Sequence, residues 1–176
     1  LSEGRSAIRK MAEKIIDIEA MTSEDCSFSV GVMNAGKWVN CVSSKASAEV
    51  LSMSKRQEDL DDGIARMLEH NDPDGEVITK VKLGLTRPVW TPSTAGLKLV
   101  ELANDLATQL GQPFRHESSG GGSDGNFTGA MGVPTLDGLG VAGDKYHTLE
   151  EHIEIDSLAM RGRMMAGLLM GIDQNF

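Results

Sequence analysis

The sequence predicts an α/β protein built as two lobes, residues 1–90 and 91–176, on three observations. Apolar periodicity in the first part switches in the order helix, strand, strand, helix, strand. Two prolines close together, Pro88 and Pro92, make a stiff crossing where the pattern changes. Beyond it, helical stripes alternate with short extended runs and glycine-rich loops, as expected of a parallel α/β sheet.

In the first lobe, Ile8, Met11, Ala12 and Ile15 fall at helical spacing between Glu3 and Met21, and Thr22-Ser23-Glu24-Asp25 closes that helix. Phe28, Val30 and Val32 alternate with Ser27, Ser29 and Gly31, which predicts a strand with one buried face. Asn34 to Lys37 supplies turn chemistry, and a long partner strand is expected from Trp38 to about Met53. Ser54 and Gln57 form a capping-box pattern ahead of the apolar stripe Leu60, Ile64, Met67, Leu68. Asn71 to Gly75 stops this helix, after which Val77, Thr79, Val81, Leu83 and Leu85 alternate as a third strand. This order is a split β-α-β-β-α-β (ferredoxin-like) sandwich of the α+β type, lacking its first strand. The missing strand would precede Leu1. With a chain opening Leu-Ser-Glu-Gly and no methionine, the expectation is a fragment.

The second lobe opens with a helix marked by Leu99, Ala103, Leu106 and Leu110, followed by a short strand at Phe114–Glu117. Gly120, Gly121 and Gly122 then form a loop free to adopt positive φ and expose N–H donors. Ser123 is the expected N-cap of a short helix with Asp124 in its first turn, the positive end facing the same space as the loop. Pro134 to Leu136 reads as a short strand, and a second glycine-rich segment, Gly138 to Gly143, delivers Tyr146 and His147. A last helix, capped by Asp156, carries Leu158, Met165, Leu168 and Ile172, a face that needs covering. Two short strands make a small sheet, so this lobe too reads as incomplete.

Composition excludes some functions. A net charge of −9 leaves no basic stripe to neutralise phosphates, which argues against a nucleic-acid partner. No apolar run is long enough to span a bilayer, and no signal peptide is expected. The two cysteines, Cys26 and Cys41, fall out of register on the expected neighbouring strands. Buried free thiols are therefore expected, and they suit a cytoplasmic location.

The chemistry-bearing residues gather in Glu117–His147. Tyr-His-Thr-Leu-Glu-Glu-His is similar in content to zinc-binding helix motifs, but His147 and His152 are five apart and would point about 140° away from each other on a helix. If His147 binds metal, its fellow ligands lie elsewhere; the alternative is a loop histidine bonded to its neighbours. The glycine loop lacks the lysine and hydroxyl of a phosphate-binding loop, and GxGxxG is absent. What remains is a set of backbone donors suited to a carboxylate or a developing oxyanion. Arg87 is the cation that would accompany it, or else a solvated surface arginine.

The segment SGGGSDGNFTGAMGVPTLDGLGVAGDKYHTLEEHIEID resembles the C-terminal signature of the two-zinc aminoacylase and carboxypeptidase family, which includes glutamate carboxypeptidase, acetylornithine deacetylase and succinyl-diaminopimelate desuccinylase. EGRSAI, VGVMNAGKWVNCV and the RQEDLDD helix start resemble that family's lid, or dimerisation, domain, in matching order and spacing. The resemblance implies that residues 1–90 are the lid and 91–176 the C-terminal portion of the catalytic domain. It implies that His147 ligates one of two zinc ions, that Arg87 grips the substrate's terminal carboxylate, that Asn40 reaches the active site from the lid, and that Gly120, Gly121 and Gly122 line the substrate pocket. Asp124 either belongs to the pocket or only caps its helix. The remaining zinc ligands, the bridging aspartate and the glutamate base belong to an N-terminal half that this sequence does not contain. Met53 stands where the family has an arginine, and Ser43 where it has a proline; the resemblance assigns neither a role.

The implied activity of the intact protein is zinc-dependent hydrolysis of the amide bond of an N-acyl amino acid or a peptide with a free carboxylate, by a homodimer paired through the lid. The segment alone is expected to be inactive. The competing expectation is a non-catalytic module that dimerises or binds carboxylates.

Overall fold

The computed structural model describes residues 4–175, so Glu3, the expected start of the first helix, lies outside the described residues, as does any strand before Leu1. The chain divides into two compact units, Leu1–Val89 and Trp90–Phe176. The fold class is α/β as expected: helices accompany small antiparallel sheets.

In the first unit, helix α1 (Ala7–Glu19) starts where the Ser6 hydroxyl accepts the Arg9 N–H at 3.3 Å, satisfying one of the free donors of its first turn. Strand β1 (Cys26–Ala35) pairs antiparallel with β2 (Ala46–Ser54). Thr22 joins helix to strand, its hydroxyl accepting from the Phe28 N–H at 3.0 Å and donating to the Phe28 carbonyl. Ile18, Cys26 and Phe28 form the core, with Met21, Val30, Val50 and Met67 around them. Helix α2 (Gln57–Leu68) lies on the same sheet face through Leu60 and Gly63. A Cβ on Gly63 would come within 2.7 Å of Cys26 Sγ and 3.2 Å of Phe28 Cζ, so hydrogen is the largest group this contact admits.

Several expectations are corrected here. Val32 is 44% exposed instead of sharing the buried face of Phe28 and Val30. Val30 pairs with Val50 but Val32 pairs with Glu49, so Gly31 is an extra residue in a bulge that moves Val32 to the opposite face. The second strand begins at Ala46, not Trp38; residues 36–45 are a loop, and Cys41 is accordingly exposed while Cys26 is buried. The expected capping box does not form. Ser54 Oγ accepts from the Arg56 N–H, and the Gln57 side chain instead accepts the Val89 N–H at 2.9 Å and donates to Asp61, so α2 starts at Gln57. Val77 to Leu85 forms no strand: it is half-buried at Val77, Thr79 and Val81, but its only ladder contact among the described residues is the Asp72–Thr79 bridge. Alternation signals a half-buried segment, and a strand also needs a partner.

In the second unit, helix α3 (Thr94–Gln109) begins under a Ser93 cap that accepts the Gly96 N–H at 3.1 Å. It ends at Gly111, whose φ of 65° closes the helix with Gly111 N–H to Thr108 and Gln112 N–H to the Ala107 carbonyl. Helix α4 (Gly125–Ala130) is short. Strands β3 (Gly143–Asp144) and β4 (His152–Ile153) form a hairpin, and α5 (Ile155–Asn175) follows. The core is the α3–α5 contact, where Ala103, Ala107, Met164 and Leu168 are buried. Gly167 and Gly171 on α5 lie against Leu106 and Leu102, letting the two helices approach closely. Trp90 packs its indole over Gly129 of α4. Among the described residues, Phe114–Glu117 and Pro134–Leu136 form no strand, since neither pairs with a strand neighbour; the expected parallel sheet is replaced by the antiparallel β3–β4 hairpin, whose strands are adjacent in the chain and need no crossover. Asp156 sits in the first turn of α5, and Ser157 is the residue that ties this turn down, donating to the Glu154 carbonyl and accepting the Ala142 N–H.

Candidate functional site

The candidate residues fall in both units: Asn40 and Arg87 in the first, Gly120, Gly121, Gly122 and His147 in the second. Asn40 lies exposed in the 36–45 loop, its Oδ1 3.8 Å from Cys41 Sγ. Arg87 is exposed in the stretch outside helix and strand that leads to Pro88, a residue that disfavours the helical region for its predecessor.

The glycine loop differs from expectation. Gly120 and Gly121 do not occupy the left-handed region, and the Gly121 N–H is taken by Ser119 Oγ at 3.1 Å instead of pointing at open space. A Cβ on Gly120 would meet nothing. Ser123 does act at the helix start, accepting the Gly125 N–H at 3.0 Å, whereas Asp124 occupies the cap position and makes no side-chain cap bond. With only six residues, α4 has too little aligned backbone to present a strong positive end.

His147 is held by the turn between β3 and β4. Both Lys145 (φ 57°) and His147 (φ 65°) are left-handed, a conformation L side chains rarely adopt, on either side of Tyr146. Short bonds brace this turn. Thr148 Oγ1 donates to the Lys145 carbonyl at 2.7 Å, Tyr146 Oη to the Gly143 carbonyl at 2.9 Å, and the Lys145 ammonium pairs with Glu150. The His147 N–H donates to Glu151 Oε2 at 3.1 Å. The His147 side chain is exposed and its ring nitrogens make no hydrogen bond among the described residues, so the imidazole is available as a donor to a metal. His152 lies in β4, not on a helix with His147, and turns its Nδ1 to the Glu150 carbonyl at 2.9 Å. As one imidazole ligand the site fits zinc. The described residues contain no group of three His, Cys, Asp or Glu side chains placed to hold a metal among themselves.

Residues 3–171 match the family described as Peptidase family M20/M25/M40. The chain belongs to that family. Carboxypeptidase G2 of Pseudomonas sp. (strain RS-16) is 26% identical over 156 residues, a match covering 85% of this chain and 37% of the relative. An uncharacterized protein of Bacillus subtilis (strain 168), YqjE, is 34% identical over 74 residues, 42% of this chain and 20% of the relative. In fold, a tripeptidase from Staphylococcus aureus superposes with a TM-score of 0.63 at 24% identity, over 95% of this chain and 45% of the other. A Bacillus subtilis protein described as a dinuclear metal binding peptidase of the M20 family gives 0.56 at 16% identity, over 97% and 47%. The family chain thus spans less than half the length of these relatives.

Glu151 and the left-handed backbone at Lys145 and His147 were not singled out in the sequence. Glu151 figured there only within a rejected helix motif; histidine is among the residue types enriched at positive φ, but lysine carries no such signal.

Proposed function

We propose that this M20-family chain is the carboxylate-clamping, single-ligand part of a two-zinc metallopeptidase that hydrolyses the amide bond of an N-acyl amino acid or a peptide with a free carboxylate. The observation that carries the reading is the exposed, otherwise uncommitted imidazole of His147 on a braced hairpin, in a chain matched to a peptidase family along nearly its whole length. His147 would hold one zinc, and Arg87 would bind and orient the substrate carboxylate through a charge-assisted pair. Zinc, when bound, supplies Lewis-acid activation of water and of the scissile carbonyl. Residues 1–90 would be the lid, carrying the substrate-binding Asn40, and 91–176 the C-terminal part of the catalytic domain, where Gly120, Gly121 and Gly122 would line the substrate pocket. The lid would pair two copies into a homodimer, in the cytoplasm.

The resemblance of one solved relative, described as binding two metals, supports the metal, and the match to carboxypeptidase G2 supports a carboxylate-bearing substrate. No helix of the described residues is long and apolar enough to cross a membrane. The test is a metal assay and a hydrolysis screen over N-acyl amino acids and dipeptides on the full-length protein and on the 176-residue chain. The full-length protein should bind zinc and turn over, His147→Ala should weaken zinc binding and abolish turnover with the fold intact, and the isolated chain should release no product. Chelator-sensitive hydrolysis by the isolated chain, or full activity of His147→Ala, would overturn the proposal.

A further inference from the structure

Among the side chains around His147, Glu151 makes a contact that neither substrate nor metal binding requires of it. Its carboxylate accepts the His147 backbone N–H at 3.1 Å, while its own N–H donates to the Thr148 carbonyl at 3.2 Å. It therefore fastens the chain on both sides of Thr148. The fastened residue has φ 65°, which a non-glycine residue keeps only where its surroundings fix it. Thr148 closes the preceding turn onto Lys145, the other left-handed residue, and the Lys145–Glu150 ion pair spans the same loop. Every other bond of this turn acts at Lys145, Thr148, Glu150 or Tyr146; the Glu151 carboxylate alone engages the backbone of His147 among the described residues.

We propose that Glu151 is a positioning residue: by accepting the His147 amide it holds that residue left-handed and so aims the imidazole. This rests on the reading of His147 as a metal ligand. Orientation matters because a ligand that must first be ordered loses affinity, and partners that orient ligating histidines commonly carry a tenfold to hundredfold share of it. The contact is to the backbone, so Glu151 would act without touching metal or substrate. Its carboxylate is exposed, and truncating it leaves no buried group unpaired.

The experiment uses the full-length protein with Glu151→Ala, Glu151→Gln and His147→Ala. In the metal-free state, amide hydrogen exchange at His147 should quicken at least about tenfold in Glu151→Ala, while Glu151→Gln, whose amide oxygen can still accept, should stay near the parent rate. Zinc affinity, measured by chelator competition, should fall about ten- to a hundredfold in Glu151→Ala and be largely kept in Glu151→Gln. Turnover should fall with occupancy, with KM little changed at saturating zinc. An unaltered His147 exchange rate in Glu151→Ala overturns the proposal, and so does equal damage from Gln and Ala, which would make the charge itself the functional element. Unaltered zinc affinity in His147→Ala would instead sink the metal reading, and the exchange rates would still decide the contact.

Discussion

Gly129→Ala should destabilise the second unit although it replaces a helical glycine by the best helix former. A Cβ on Gly129 would stand 2.3 Å from Trp90 Cδ1 and Nε1 and 2.4 Å from Cε2, where 3.4 Å is ordinary contact. The rigid indole, not a flexible side-chain end, must therefore withdraw by about 1 Å, and overpacking of this kind typically costs about 1–3 kcal/mol. The helical gain from Gly to Ala is roughly 0.5–1 kcal/mol. Because three ring atoms are struck at once, the clash wins, and a net loss of about 1–2 kcal/mol is expected. For a unit of this size that lowers the melting temperature by roughly 5–15 °C. Thermal unfolding reads the loss, and tryptophan emission reads its cause, since Trp38 is already 65% exposed and a red shift would come from Trp90. Placing Gly129→Ala on a Trp90→Phe background should recover most of the penalty as a coupling energy. An unchanged or raised melting temperature for Gly129→Ala, with unshifted emission, would refute the packing argument.

Gly63→Ala should lower the stability of the first unit by about 1–3 kcal/mol through its contacts with Cys26 and Phe28, measured by urea unfolding, whereas Gly120→Ala, facing open space, should have little effect. His70 has its pKa pushed below the usual histidine value, first by burial and then by the Lys14 ammonium 3.3 Å away, against opposing pulls from Asp17 and Glu69. Its contribution to stability is complete above the unfolded value near 6.5 and is lost as pH falls through the lowered folded value; His70→Gln should flatten the fall in melting temperature between about pH 7 and 5. In the full-length protein, Arg87→Ala should raise KM for free-carboxylate substrates roughly tenfold to a hundredfold but leave amidated analogues little changed, consistent with loss of a hydrogen bond to a charged group worth about 1.5–3 kcal/mol.

Local grammar was legible where one segment decides its own fate. Ser123 acts at the start of its short helix, the α3 stripe of Leu99 and Ala103 is buried, and the second glycine-rich segment does deliver His147 to a turn. Reading failed where a second segment decides. Nothing around Gly31 separates a bulge from straight alternation, because the extra residue exists only relative to Val50 and Glu49 across the ladder. Gln57 has the right spacing for a capping box, yet the Val89 N–H, far along the chain, claims its side chain. Gly120 to Gly122 looked like a row of open donors, but Ser119 takes one of them. For the candidate site, residue identities came from a family signature, whereas the left-handed backbone at His147 and its carboxylate anchor arise from the closing of the hairpin.

The separation of the two core-forming helices of the second unit bears on the order in which they and the histidine hairpin form. Residues 36–45 close the β1–β2 pair, whereas residues 110–154 must loop out before α3 and α5 meet. The longer loop adds about 1.3 kcal/mol of closure entropy, so the helix pair should lag the hairpin sheet during refolding. Lys145 to Glu151 lies inside that longer loop, but β3 and β4 close it over a short span with bonds of its own, so the left-handed turn does not wait for the helices. His147 would then reach its final backbone conformation before α3 and α5 meet, making the ligand's backbone an early event in refolding.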